Sequence, residues 1–164
     1  MCGIGGMLGQ PDQSVLSRMN RLMEHRGPDG NGVFSDDYCG LAHTRLAILD
    51  ISGSPQPIYG PGKVAVVNGE IYNHLDLRNN MYQYTTNGDS EVVLSLHNGK
   101  GDASHHAKWV SKLDGMFAFA VWSGGQLILA RDAMGIKPLM RTIVGGSLLF
   151  SSEAKALRAH EDYV

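Results

Sequence analysis

Cysteine is scarce in this chain, with Cys2 and Cys39 alone among 164 residues. The pair could close one disulfide at most, which a chain long enough to bury an ample core has little need of. No apolar run approaches the roughly 18 residues of a membrane span, and the N-terminus has neither the basic stretch nor the apolar core of a secretory signal. No membrane partner and a cytoplasmic location are therefore expected. Charge of either sign is not in excess: 14 Lys and Arg stand against 16 Asp and Glu, a formal net charge of −2. That balance removes the electrostatic case for a nucleic-acid partner. Seven histidines are present, but no cluster has metal-ligand spacing, so neither a metal nor a cofactor is predicted. Linker-like stretches are missing as well, because the 21 glycines are dispersed and read as tight turns.

What is present reads as one domain over 1–164. Met1–Leu8, Tyr38–Leu46, Val64–Val67 and Leu148–Ser151 are strand-like, and Phe117–Trp122 and Gln126–Arg131 flank a Ser123-Gly124-Gly125 turn as a hairpin. Ser14–Glu24 places Leu16, Met19, Leu22 and Met23 on one helical face; shorter helices are predicted over His74–Asn80, Glu91–Asn98, His106–Lys112 and Glu153–Arg158. Helices and antiparallel strands in blocks favour α+β with layered sheets over alternating βαβ units. Cys39 reads as a buried strand residue.

Cys2 is the residue with the most chemistry. Cysteine is small enough to permit removal of Met1, which would leave Cys2 with both a thiol and an α-amine. A thiol with a free pKa of about 8.5 and an amine titrating near roughly 7.7 to 8 can exchange a proton close to neutral pH. That is covalent catalysis with the base in the same residue.

Several further segments are polar where plain core strands would not be: His25-Arg26-Gly27-Pro28-Asp29, His43-Thr44-Arg45-Leu46-Ala47-Ile48, Asn68-Gly69-Glu70-Ile71-Tyr72-Asn73 and Asp89-Ser90-Glu91-Val92-Val93-Leu94. With Cys2-Gly3-Ile4, Leu113–Ala120, Ala130-Arg131-Asp132 and Gly135–Leu139, they resemble, in order from Met1 to about Leu157, the glutaminase domain of the asparagine synthetase family. Class II glutamine amidotransferases in general share the Cys-Gly-Ile start, the His-Arg-Gly block and the Asn-Gly pair. Gly27-Pro28-Asp29 and Asn68–Asn73 resemble the asparagine synthetase branch. The resemblance implies the N-terminal nucleophile hydrolase fold, a four-layer αββα sandwich with two antiparallel sheets between helical layers. It also implies L-glutamine as substrate and glutamate and ammonia as products.

By the same resemblance, Cys2 is the nucleophile and Asn68 and Gly69 form the oxyanion hole. Arg45 grips the substrate carboxylate with help from Leu46, Ala47, Ile48 and Leu49, while Glu70 and Asp89 receive the substrate ammonium. Several have a structural alternative, and Cys2 itself could be a small apolar residue opening a buried strand. Asn68-Gly69 could be a type I′ turn. Arg45 could pair with Asp50, Asp132 or Glu153, and Asp89 could cap a helix. Glu91 fits a first helical turn without a site role. His25 and His43 read as structural groups, and Arg26 and Asp29 as residues ordering a loop over the cleft.

Family members continue into an ATP-dependent domain that opens with a Ser-Gly-Gly-x-Asp-Ser loop. Ser123-Gly124-Gly125-Gln126 leads into Leu127-Ile128-Leu129 instead. The expectation is a glutaminase domain without its synthetase, delivering ammonia to an ATP-dependent synthetase domain or subunit. A non-catalytic regulatory or interaction domain and an amidase of another substrate are the alternatives. The short stretch Asn79–Tyr84, the Met140-Arg141 pair and the abbreviated Ser123–Gly125 turn depart from the family pattern.

Overall fold

The computed structural model describes residues 1–50 and 53–163. Its first antiparallel sheet has the spatial order β2 (Gly30–Ser35), β3 (Cys39–Arg45), β1 (Gly3–Leu8), β9 (Ser147–Ser151), β8 (Met140–Val144). The second runs β4 (Ile58–Gly60), β5 (Lys63–Ile71), β6 (Gly115–Ser123), β7 (Gln126–Arg131). The helices are α1 (Gln13–Met23), α2 (His74–Leu77), α3 (Val92–Leu96), α4 (Ala103–Val110) and α5 (Ala154–Leu157).

The two-residue period of a strand sends alternate side chains to opposite faces, and here both faces of the central strands are apolar. In β5, Val64 and Val66 join Ala118, Ala120, Ile4, Leu41 and Phe150 between the sheets. Ala65 and Val67 face the other way, with Phe117, Phe119 and Val121 of β6, onto Val92–Leu94 of α3 and Trp109 of α4. A third cluster seats Val15, Leu16, Met19 and Met23 of α1 and Ala156 and Leu157 of α5 against Met7, Ala42 and Leu149 of the first sheet. Three apolar layers thus separate helix, sheet, sheet and helix, as predicted. Phe119 and Phe150 are fully buried, each contributing about 2 to 3 kcal/mol of transfer free energy.

Asp12 caps α1 by accepting from the Ser14 N–H at 2.6 Å, and Asp102 caps α4 through the His105 N–H at 2.8 Å. The α4 start therefore falls three residues before the predicted His106. Leu22 turns outward while Val15 and Asn20 are buried, which shifts the buried face of α1 from the predicted one. Asn68-Gly69 is no turn: it lies inside β5, paired with Ala118 and Phe117 of β6.

Candidate active site

Antiparallel register brings the polar segments together. Gly3 pairs with Thr44 and Ile4 with His43, so the next step of the same ladder sets Cys2 beside Arg45 and Leu46. The Leu46 N–H donates to Cys2 Sγ at 3.3 Å, and the thiol approaches the Leu46 carbonyl at 3.6 Å. His43, fully buried, bridges the sheets by donating from Nε2 to the Val67 carbonyl at 3.1 Å. That contact places β5, and with it Asn68, Gly69 and Glu70, across from Cys2. One cleft is lined by Cys2, Arg45, Leu46, Ile48, Leu49, Asn68, Gly69, Glu70 and Asp89, together with Met1, Ser54, Gln56, Val67, Ser90 and Lys137.

Of the predicted site residues, Ala47 alone does not line this cleft. Its N–H is bound by Asp29 Oδ2 at 2.8 Å, while the Asp29 N–H donates to the Arg45 carbonyl at 2.9 Å. Asp29 thereby orders the segment that carries Leu46, Ile48 and Leu49. Arg45 Nη2 donates to the Asp50 main-chain oxygen at 2.8 Å. The carboxylates of Asp132 and Glu153, named as alternative partners for Arg45, are engaged elsewhere. Asp132 accepts from the N–H groups of Ile136 and Lys137 at 2.9 and 3.0 Å, and Glu153 accepts from Arg26 at 2.9 Å.

Along β5 the edge facing away from β6 is distinctive. Gln56 Oε1 accepts from the Val67 N–H at 2.6 Å, and Asp89 Oδ2 accepts from the Ile71 N–H at 2.7 Å. Strand periodicity puts the Gly69 N–H on this same edge, between those two capped groups. Gly69 has a φ of +146°, and a Cβ there would run into the Met116 carbonyl oxygen. Only glycine fits that approach of β5 to β6 without strain. Next to it, Asn68 is fully buried, yet neither its Oδ1 nor its Nδ2 has a partner among the described residues.

Asp89 does not cap a helix. Glu91 stands at the start of α3 without a side-chain cap bond, and the Asp89 carboxylate reaches β5 instead. Glu91, fully buried, accepts from the N–H and Oγ1 groups of both Thr85 and Thr86. It fastens the approach to the segment that presents Asp89.

Burial pushes the Cys2 thiol pKa up from its ordinary value. The Leu46 hydrogen bond, the terminal ammonium and Arg45 oppose that rise, and Asp89 adds to it. The cysteine needs a base. Burial holds His43 neutral, with a pKa lowered to about 4, and its Nε2 proton is committed to Val67. His25 lies outward against Glu153 at 2.9 Å. Among the described residues, no group of three or more His, Cys, Asp or Glu side chains could hold a metal ion.

The sequence over residues 1–164 matches the family model described as a glutamine amidotransferase domain. The chain belongs to that family. It is 43% identical over 169 residues to asparagine synthetase [glutamine-hydrolyzing] 2 of Oryza sativa subsp. japonica, covering 96% of this chain and 28% of the relative. It is 41% identical over 170 residues to asparagine synthetase B [glutamine-hydrolyzing] of Escherichia coli (strain K12), covering 96% and 30%. The chain thus spans less than a third of these relatives' length. Among solved structures, glutamine phosphoribosylpyrophosphate amidotransferase from B. subtilis superposes with a TM-score of 0.77 at 21% identity, over 96% of this chain and 43% of that one. This likeness supports the fold.

The reading of sequence alone missed Met1, Ser54, Gln56, Val67, Ser90 and Lys137 as lining residues. Lys137 stands in the Gly135–Leu139 motif, a signal that was available. Gln56 carried none, since its part depends on the unpaired edge of β5.

Proposed function

We propose that this amidotransferase domain, once Met1 is removed, hydrolyses L-glutamine to L-glutamate and ammonia through a thioester on Cys2. The observation that supports it most is the convergence on one cleft of a half-buried thiol, an Asn68 amide without a partner among the described residues, one arginine and two carboxylates. Arg45 is suited to the α-carboxylate in bidentate fashion, and Glu70 and Asp89 to the α-ammonium. Together they select free glutamine over a glutaminyl residue within a peptide.

The steps follow from those positions. The Cys2 α-amine takes the thiol proton, and the thiolate adds to the side-chain amide carbon. Charge on the former carbonyl oxygen is met by Asn68 Nδ2 and the Gly69 N–H, donors of a kind that contribute about 3 to 4 kcal/mol to lowering such barriers. The protonated amine then gives its proton to the departing nitrogen, releasing ammonia and leaving the thioester. Water attacks the thioester with the amine again accepting a proton, and collapse returns the thiol and glutamate. The α-amine exists only after Met1 is gone, so the chain that retains Met1 is inactive.

The ammonia passes to an asparagine-synthetase-type, ATP-dependent domain or subunit. Glutamate release from glutamine is the test, measured on protein whose intact mass shows loss of Met1, beside Cys2→Ala. Release by the processed chain and none by the variant is expected. Equal rates, or full activity with Met1 retained, would overturn the mechanism.

A further inference from the structure

Lys137 lies between β7 and β8 with its side chain almost entirely buried, at 7% exposure. Its Nζ contacts the Met1 thioether, 3.4 Å from Sδ, and among the described residues no carboxylate lies within ion-pair distance of it. A thioether is a weak acceptor. A buried ammonium without a counter-ion is costly, and this one stands in the wall of the cleft beside the residue whose removal creates the α-amine.

Other charges line the same cleft or touch Cys2, and substrate or protein partners account for each. Arg45 on β3 is assigned to the substrate carboxylate; Glu70 on β5 and Asp89 ahead of α3 are assigned to its ammonium. Arg26 donates to the Cys2 carbonyl at 2.9 Å but brings Glu153 as its counter-ion, shared with His25 and Lys155. The Met1 ammonium departs with Met1. With glutamine bound, Lys137 is the charge left without a partner. It lines the same cleft as Cys2.

We propose that Lys137 is a positioning residue for the glutamine hydrolysis inferred above: its fixed positive charge holds the Cys2 α-amine in the unprotonated form near neutral pH. A cation close to an amine disfavours the ammonium and lowers its pKa. Removing that cation therefore raises the pKa and starves the reaction of base on the acid side only.

The experiment is the pH profile of kcat/KM for glutamate release by Met1-free wild type, Lys137→Met and Lys137→Arg. In Lys137→Met the acid limb moves to higher pH by about half to one unit, the size of shift that loss of one neighbouring charge produces, and the rate recovers in alkaline buffer. Lys137→Arg keeps the wild-type limb. An acid limb unmoved in Lys137→Met overturns the inference, as does a rise in KM for glutamine without movement of the limb, which would make Lys137 a carboxylate ligand. Should Lys137→Met not fold, Lys137→Gln is read by the same limb. Failure of the underlying reading is distinct: wild type would then release no more glutamate than Cys2→Ala.

Discussion

Asn68 buries an amide whose oxygen and nitrogen have no partner among the described residues, at a cost of about 1 to 3 kcal/mol for each group so stranded. Gly69 occupies a backbone conformation that other residues rarely adopt. The two neighbours should part company on mutation. Asn68→Ala removes a donor without breaking a bond in the free protein, so kcat for glutamine should fall about 100- to 1,000-fold while the thermal midpoint holds or rises. Gly69→Ala forces a Cβ against Met116 and should lower stability by more than about 1 kcal/mol, with loss of activity. A circular-dichroism melt beside a glutamate assay separates them; equal destabilisation of both variants would refute the assignment of Asn68. Much of this site was legible because chemistry stands out against apolar strands: Cys2, Arg45, Asn68 and Glu70 are polar or reactive in otherwise buried runs. Asp89 was legible as a residue of this cleft, but its alternative as a helix cap failed. A local rule yielded there to a tertiary partner, the Ile71 N–H. Gln56 was illegible because its value comes from the edge of β5, and Ser54 because its hydroxyl serves the Asp50 carboxylate; no local pattern announces either.

At the scale of elements, the first residue of α5's approach controls the start of β1. Glu153 accepts from Arg26 Nη1 and contacts His25 Nε2, both at 2.9 Å, with Lys155 at 3.2 Å, and Arg26 Nε donates to the Cys2 carbonyl at 2.9 Å. The single 3₁₀ turn Glu24–Arg26, α5 and the nucleophile are tied through this carboxylate. Burial alone would raise the Glu153 pKa, but hydrogen bonds from Arg26, His25 and Lys155 override it and lower it to about 2. A carboxyl depressed on folding stabilises the protein fully above its unfolded pKa near 4.5 and loses that contribution as pH falls through about 2. Glu153→Gln should thus cost about 1 to 2 kcal/mol at pH 7 after allowance for partial exposure, and urea titrations should show the gap to wild type narrowing below pH about 4.5. A gap constant with pH would contradict this account. The elements missed from sequence share a cause: β2 and β8 are the outer strands of one sheet and β4 an outer strand of the other. Gly30–Ser35 and Met140–Val144 are half-buried or exposed over most of their length. Their strand form comes from hydrogen bonds to a central neighbour, so neither alternation nor an apolar run marks them. Central strands, apolar on both faces, were visible.

For the whole molecule, the layered cores make two buried histidines the first weakness in acid. His43 sits between the sheets, and His97 packs against Trp109 with ring centroids 6.1 Å apart, both of its ring nitrogens buried and unpartnered among the described residues. Burial, the leading cause in each, lowers both pKa values to about 4; for His97 the charges of Lys63 and His106 act in the same direction. Such a group favours the fold while neutral. Its contribution is complete above the unfolded pKa near 6.5 and declines as pH falls toward about 4. Glu153 and the other depressed carboxylates keep their contributions until lower pH, so the decline between about 6.5 and 4.5 belongs mainly to the histidines. Stabilities from denaturant titrations across that interval should fall by on the order of 4 kcal/mol in wild type. His97→Phe, which keeps a ring against Trp109 and removes the titrating group, should show about half that slope. A variant with the full wild-type slope would relieve His97 of this role. His43 then accounts for the remainder, and because its Nε2 proton bridges to Val67 beside Asn68, protonation at Nδ1 strains the junction between the sheets that sets Asn68 opposite Cys2. Activity lost through that route should return only with refolding at neutral pH, whereas activity lost through protonation of the Cys2 amine should return as fast as the buffer is changed.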